Sequence, residues 1–149
     1  METIWELDFY SRPIRDENNK KQWEVLICES PLEVQATEAK LFRYSKFCSA
    51  QNVNSIFLQE AMNEAMEKAG TAPKKIRFFR RQMNNMITKA CDDLGITALP
   101  SRRTYALQKW LQERLEQVYP QQEGYDETAM SNASVQYPAE SAVILPDAI

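Results

Sequence analysis

Apolar and polar positions alternate with period two over residues 5–10, Trp-Glu-Leu-Asp-Phe-Tyr, which predicts a β-strand. Pro13 and the polar stretch Asp16-Glu17-Asn18-Asn19-Lys20-Lys21 predict a turn. Residues 23–28, Trp-Glu-Val-Leu-Ile-Cys, predict a second strand paired with the first as a hairpin, and a third strand is expected near Lys40 to Phe47. The period then changes. Asn54 or Ser55 can cap a helix with Ile56, Ala61, Ala65 and Ala69 as its apolar positions and Gly70 as its stop. Residues 75–80, Lys-Ile-Arg-Phe-Phe-Arg, predict a strand. A second helix follows with Met83, Met86, Ile87, Ala90 and Leu94 on one face and Gly95 after it. Ile96 to Leu99 predict a short strand, and a third helix carries Leu107, Trp110, Leu111, Leu115 and Val118 before Pro120 stops it.

The order βββαβαβα predicts an α/β fold in an α+β arrangement: a mixed sheet of about five strands with three helices, an order that the ribonuclease H-like fold shares. Residues 1–120 are expected to form one domain. From Pro120 onward Gln, Glu, Ser, Asn, Ala and Pro dominate, so residues 121–149 are expected to be an acidic linker or disordered tail, with Val143 to Leu145 as its one apolar run. A chain ending near Gln121 is accordingly expected to melt like the full one.

Composition changes this picture in three ways. The 149 residues contain no histidine, which excludes His-based triads and most catalytic zinc sites. Cys28, Cys48 and Cys91 are spaced too widely for a metal pair and read as small buried hydrophobes. No stretch approaches the roughly 20 apolar residues of a membrane span, and no leader pattern opens the chain. The net charge of −3 hides an asymmetry: Lys74 to Lys109 holds nine bases against Asp92 and Asp93, whereas Pro120 to the end holds five acids and no base.

The informative chemistry is two arginine pairs. Arg80-Arg81 stand at the start of the second helix and Arg102-Arg103 just before the third. A helix N-terminus carries partial positive charge, so cations there cost about 0.3–1 kcal/mol. A local rule broken twice points to function: exposed N–H groups plus guanidinium forks suit phosphate. Each pair follows a predicted parallel strand, which places both at the C-terminal edge of the sheet. On the second helix Arg81, Asn84, Asn85 and Thr88 share one side, presenting donors and acceptors suited to phosphates and base edges. Tyr105, beside Arg103, is the best candidate for stacking on a base, whereas Phe78, Phe79 and Trp110 read as core. The site set expected to contact RNA is therefore Arg80, Arg81, Asn84, Asn85, Thr88, Arg102, Arg103 and Tyr105. On this reading Arg80→Ala with Arg81→Ala should weaken RNA binding and leave folding stability unchanged or slightly higher.

An enzymatic alternative starts from Asp8 on the first strand, with Glu60 or Glu64 as a second metal ligand of a metal-dependent or degenerate nuclease. Arginines stand where the third carboxylate would be expected, at the end of the fourth strand, which argues against catalysis. Asp8 is then expected to pair with one of them. A third reading is a protein-interaction module whose basic edge binds an acidic partner, the tail included. No catalytic residue, metal or cofactor is assigned, and the oligomeric state is left open.

Three strings carry a resemblance. Trp5-Glu-Leu-Asp-Phe-Tyr-Ser-Arg-Pro13, Lys75-Ile-Arg-Phe-Phe-Arg-Arg-Gln-Met83 with Asn85-Met-Ile-Thr-Lys-Ala-Cys91, and Ala98-Leu-Pro-Ser-Arg-Arg-Thr-Tyr105 resemble the Tab/Atab translation-activator family of cyanobacteria, algae and plants, from about Trp5 to Tyr119. The resemblance implies a non-catalytic RNA-binding domain of a translation activator for photosystem I biogenesis. It implies binding to A/U-rich leader RNA of the message for a photosystem I subunit, in the cyanobacterial cytoplasm or the chloroplast stroma of eukaryotic relatives. Family members are about twice this length and carry a C-terminal domain, towards which the tail would lead.

Overall fold

The computed structural model describes residues 3–30 and 41–129. The hairpin forms as its period-two pattern dictates, from β1 (Ile4–Arg15) and β2 (Lys21–Glu29), antiparallel with Leu7 opposite Ile27. Its turn is closed by the Asp16 carboxylate, which accepts the N–H groups of Asn18 and Lys20. β1 runs further than the alternation suggested. Pro13 lies inside it, and the register shifts between Ser11 and Arg15, the kind of irregularity where a strand tolerates proline. β3 (Arg43–Cys48) extends the hairpin antiparallel to β2.

Asn54 caps α1 (Ser55–Ala69) by accepting the Phe57 N–H, and Gly70 ends it in the left-handed region at φ 72°. Ile56, expected on the buried face of this helix, is 67% exposed; Leu58, Ala61, Met62 and Ala65 form that face instead. β4 (Lys75–Phe78) is shorter than residues 75–80 and pairs parallel with β1. α2 (Asn84–Asp93) follows after a 3-10 turn, then β5 (Thr97–Pro100), parallel to β4, and α3 (Tyr105–Glu113). The α3 helix continues through a π-helical turn at Arg114–Val118 and a 3-10 turn at Tyr119–Gln121, where Pro120 occupies a first-turn position.

The strand order is β3-β2-β1-β4-β5, with β2 alone antiparallel. Trp5, Leu7, Phe9, Val25 and Ile27 point to the face that α1 and α2 cover, packing with Leu58, Met62, Ile87 and Cys91. Leu26 and Cys28 point to the other face, under Leu107, Trp110, Leu111 and Leu115 of α3. The central strand is therefore buried on both sides. Cys28 and Cys91 are buried and Cys48 half-buried; burial pushes the Cys91 thiol up to about 12 and that of Cys48 up to about 11.

Residues just beyond Pro120 bond to β1. Gly124 O accepts Arg15 N–H at 2.7 Å, Asp126 N–H donates to Pro13 O at 2.8 Å, and Tyr125 bridges to Ile14. β2 pairs with β1 as far as Arg15, whereas β4 pairs with it only from Ile4 to Glu6, so these bonds supply partners to the end of β1 beyond β4, which explains why a stretch without periodicity is docked. Residues 130–149, including the Val143 to Leu145 run, lie outside the described residues.

Candidate nucleic-acid interface

Phe78 stands opposite Pro100 at the ends of two parallel strands, and Ser101 N–H donates to Phe78 O at 2.8 Å. The segments leaving β4 and β5 therefore start side by side at one sheet edge. Arg80 and Arg81 lie on the first, Arg102 and Arg103 on the second. Arg81, Arg102 and Arg103 are exposed. Asn85 is exposed as well, while Asn84 and Thr88 are half-buried, the Thr88 hydroxyl donating to Asn84 Oδ1 at 3.4 Å. Tyr105, the first residue of α3, is 76% exposed.

Arg80 differs from the other three arginines because it turns inward. Its Nε donates to Asp8 Oδ1 at 2.7 Å, and its guanidinium lies 4.1 Å from the Tyr10 ring centre and 4.8 Å from that of Phe79. The second Asp8 oxygen accepts from Arg12 Nη2 at 3.0 Å. The pairing of Asp8 with an arginine at the sheet edge follows from Asp8 lying just beyond the point where β1 and β4 are in register. Arg12 Nε in turn donates to Glu24 Oε1 at 3.0 Å, and Glu24 also accepts from Arg114 and from the Tyr119 hydroxyl. Asp8, Arg12 and Glu24 are all buried. Burial alone raises the pKa of Asp8, but Arg80 and Arg12 outweigh it and hold the carboxyl below its usual range. Burial likewise opposes charge on Arg12, and Asp8, Tyr119 and Glu24 more than offset it.

This cluster corrects two expectations. Removing Arg80 would leave a buried carboxylate short of a partner, so the double alanine variant is expected to destabilise the fold instead of leaving it unchanged. The proposed metal ligands also do not meet. Both oxygens of Asp8 are held by guanidinium groups, whereas Glu64 lies on α1, across the sheet, where it accepts from Tyr44 and Lys46.

The α3 terminus brings a further correction. Its Leu107 N–H donates to Glu6 Oε1 at 2.9 Å, so a buried carboxylate already occupies the end where a phosphate was expected to meet free N–H groups. Burial raises the pKa of Glu6, against bonds from Leu107 and Ser30 that lower it. What remains for a ligand at this helix is the exposed pair Arg102 and Arg103 with Tyr105.

Sequence reasoning missed Glu6, Arg12, Glu24, Arg114 and Tyr119. Their signal was present: three charged residues on one side of β1 cannot be a solvent face if a third helix, rich in apolar residues, must cover that side.

A chain in the cryo-EM structure of the simian T-cell lymphotropic virus intasome in complex with PP2A regulatory subunit B56 gamma has a similar fold. Its TM-score is 0.54 at 13% identity, covering 87% of this chain and 44% of that one. The chloroplastic protein TAB2 homolog of Zea mays is 42% identical over 122 residues, 81% of this chain. That of Arabidopsis thaliana is 42% identical over 135 residues, 90% of this chain. The chain spans 29% and 34% of the lengths of these two relatives. Residues 4–114 match the family described as RNA-binding protein Tab2/Atab2, N terminal, and with these identities the chain belongs to that family.

Proposed function

We propose that this domain is a non-catalytic RNA-binding module, and that it binds through the sheet edge where β4 and β5 end. The observation that carries this reading is the division of labour among the four arginines. Arg80 is engaged inside the protein by Asp8, while Arg81, Arg102 and Arg103 stand exposed on adjoining segments of the same edge. Asn84, Asn85 and Thr88 border them on α2, and Arg80 acts by holding its segment in place. Guanidinium forks of this kind suit phosphates. The family to which the chain belongs is named for RNA binding.

We further propose that the RNA is the A/U-rich leader of a message for a photosystem I subunit, and that the domain acts within a longer translation activator. The compartment would be the chloroplast stroma in eukaryotic relatives, consistent with the chloroplastic homologs, and the cytoplasm in a cyanobacterial cell.

The test is equilibrium binding of a fluorescent single-stranded RNA across a salt series. Arg102→Ala with Arg103→Ala should weaken binding to every sequence and lower the log–log salt slope by about 0.7 for each phosphate no longer neutralised. Unchanged affinity and slope in a folded double variant would refute the proposed edge.

A further inference from the structure

Among the described residues Tyr105 is the one exposed large aromatic, at 76%. Other rings of this chain are engaged: Trp5 stacks on Phe42, Phe9 and Tyr10 meet Trp23, and Tyr10 and Phe79 flank Arg80. Among the described residues no ring stacking or cation–π contact involves the Tyr105 ring. Helix formation does not require it there, since α3 buries Ala106, Leu107, Trp110 and Leu111, and Tyr105 falls on the opposite side with Lys109 and Gln112. Nor is its position loose. The helix start is pinned by the Glu6 carboxylate on Leu107 N–H, and Thr104 is fully buried with its side-chain oxygen accepting from Gln108 at 2.7 Å. A bare ring is thus carried on a fixed backbone, two and three residues after the exposed Arg103 and Arg102.

We infer that Tyr105 is a stacking platform for an unpaired nucleobase, so that the edge takes single-stranded RNA in preference to a duplex. This rests on the RNA-binding reading above and deepens it. In a duplex each internal base is covered on both faces by its neighbours, and only an unstacked base offers a face to a protein ring. The guanidinium groups of Arg102 and Arg103 hold the backbone by charge, which strand pairing does not change. The ring therefore supplies the discrimination that the arginines lack. Stacking is tolerant of base identity, because every base has a π-face. Tyr105 consequently selects for an unpaired state and not for a sequence.

The experiment compares the full chain with Tyr105→Ala, Tyr105→Trp and Arg102→Ala/Arg103→Ala. The probes are a fluorescent single-stranded RNA of mixed sequence, the same sequence as a duplex, and an abasic oligonucleotide of equal length that keeps the phosphates. Because the Tyr105 side chain lies outside the core, its variants should melt with the parent. Tyr105→Ala should bind the single strand roughly 5- to 150-fold more weakly, the range spanned by one base stack. It should bind the duplex and the abasic strand as the parent does, and Tyr105→Trp should retain or exceed the parent's affinity. The arginine variant should weaken on all three probes. Single-strand affinity indifferent to Tyr105→Ala, or an equal weakening on the abasic strand, overturns the stacking role while leaving the basic edge standing. Failure of the parent to bind any probe overturns both.

Discussion

Arg80→Ala is the perturbation for which helix electrostatics and the tertiary structure predict opposite signs. Judged by position in the chain, it removes a cation from a helix start and should stabilise by about 0.3–1 kcal/mol. Judged by its surroundings, it removes the 2.7 Å partner of a buried carboxylate and a guanidinium packed between Tyr10 and Phe79. Breaking a buried ion pair costs about 3–5 kcal/mol when one partner is left uncompensated. Arg12 still holds the other oxygen of Asp8, so a destabilisation of about 2–4 kcal/mol is expected, and the broken ion pair outweighs the helix dipole. For a chain of this length that corresponds to a fall in Tm of about 6–12 °C. Thermal and denaturant unfolding of Arg80→Ala, Asp8→Asn and the double variant measure it. The double variant should be less destabilised than the sum of the singles by at least about 1 kcal/mol, because each single leaves charge buried without its partner. The pH dependence carries a definite sign. The folded pKa of Asp8 is depressed, so its stabilisation is present above the ordinary value of 3.8 and disappears as pH falls through the folded value. The gap between parent and Arg80→Ala should therefore be widest near neutrality and shrink below pH 3.8. A Tm for Arg80→Ala within a degree of the parent, or above it, would refute the reasoning.

Three more outcomes follow from the same geometry. Glu6 has a raised folded pKa, so its ionisation costs stability as pH rises from 4.5; Glu6→Gln, which keeps an acceptor for Leu107, should melt at or above the parent at pH 7 and converge with it in acid, and a Tm well below the parent at pH 7 would contradict this. Gly124→Ala would set a methyl 2.1 Å from Arg15 O at φ 88°, so it should strip the docked segment from β1 and lower Tm, as should truncation after Gln121, which deletes the segment's two backbone hydrogen bonds to β1, worth about 1 kcal/mol each; melting curves equal to the parent would mean the segment contributes nothing. Incubated with single-stranded RNA, RNA–DNA hybrid or DNA in Mg²⁺ or Mn²⁺, the chain should show no turnover, since Arg12 and Arg80 occupy both oxygens of Asp8; cleavage abolished by Asp8→Asn at unchanged stability would make it a nuclease.

Much of the architecture was legible in the chain because it is encoded locally. Period two over residues 5–10 and 23–28 wrote the hairpin, Asn54 and Gly70 bracketed α1, and Gly95 followed α2, each through backbone chemistry acting within a few residues. The parallel course of β4 and β5 was likewise legible, because strands joined by a crossover helix run the same way and end on the same side of the sheet.

What the sequence by itself determined, then, was the order of elements, the five-strand, three-helix class, the family strings and the concentration of bases between Lys74 and Lys109. The tertiary structure decided which side of each charged residue meets water. α1 and α2 pack on one face of the sheet and α3 covers the other, and this buried Glu6, Asp8, Arg12 and Glu24 that alternation alone would have left in solvent. The same packing drew Arg80 inward while Arg81 stayed out, a division between adjacent residues of one type that no local pattern encodes. It also retained residues 122–126, because the backbone groups at the end of β1 needed partners beyond the short pairing with β4. Burial and pairing are properties of what lies across the sheet, and residues distant along the chain, such as Asp8 and Arg80, meet only once the whole is folded.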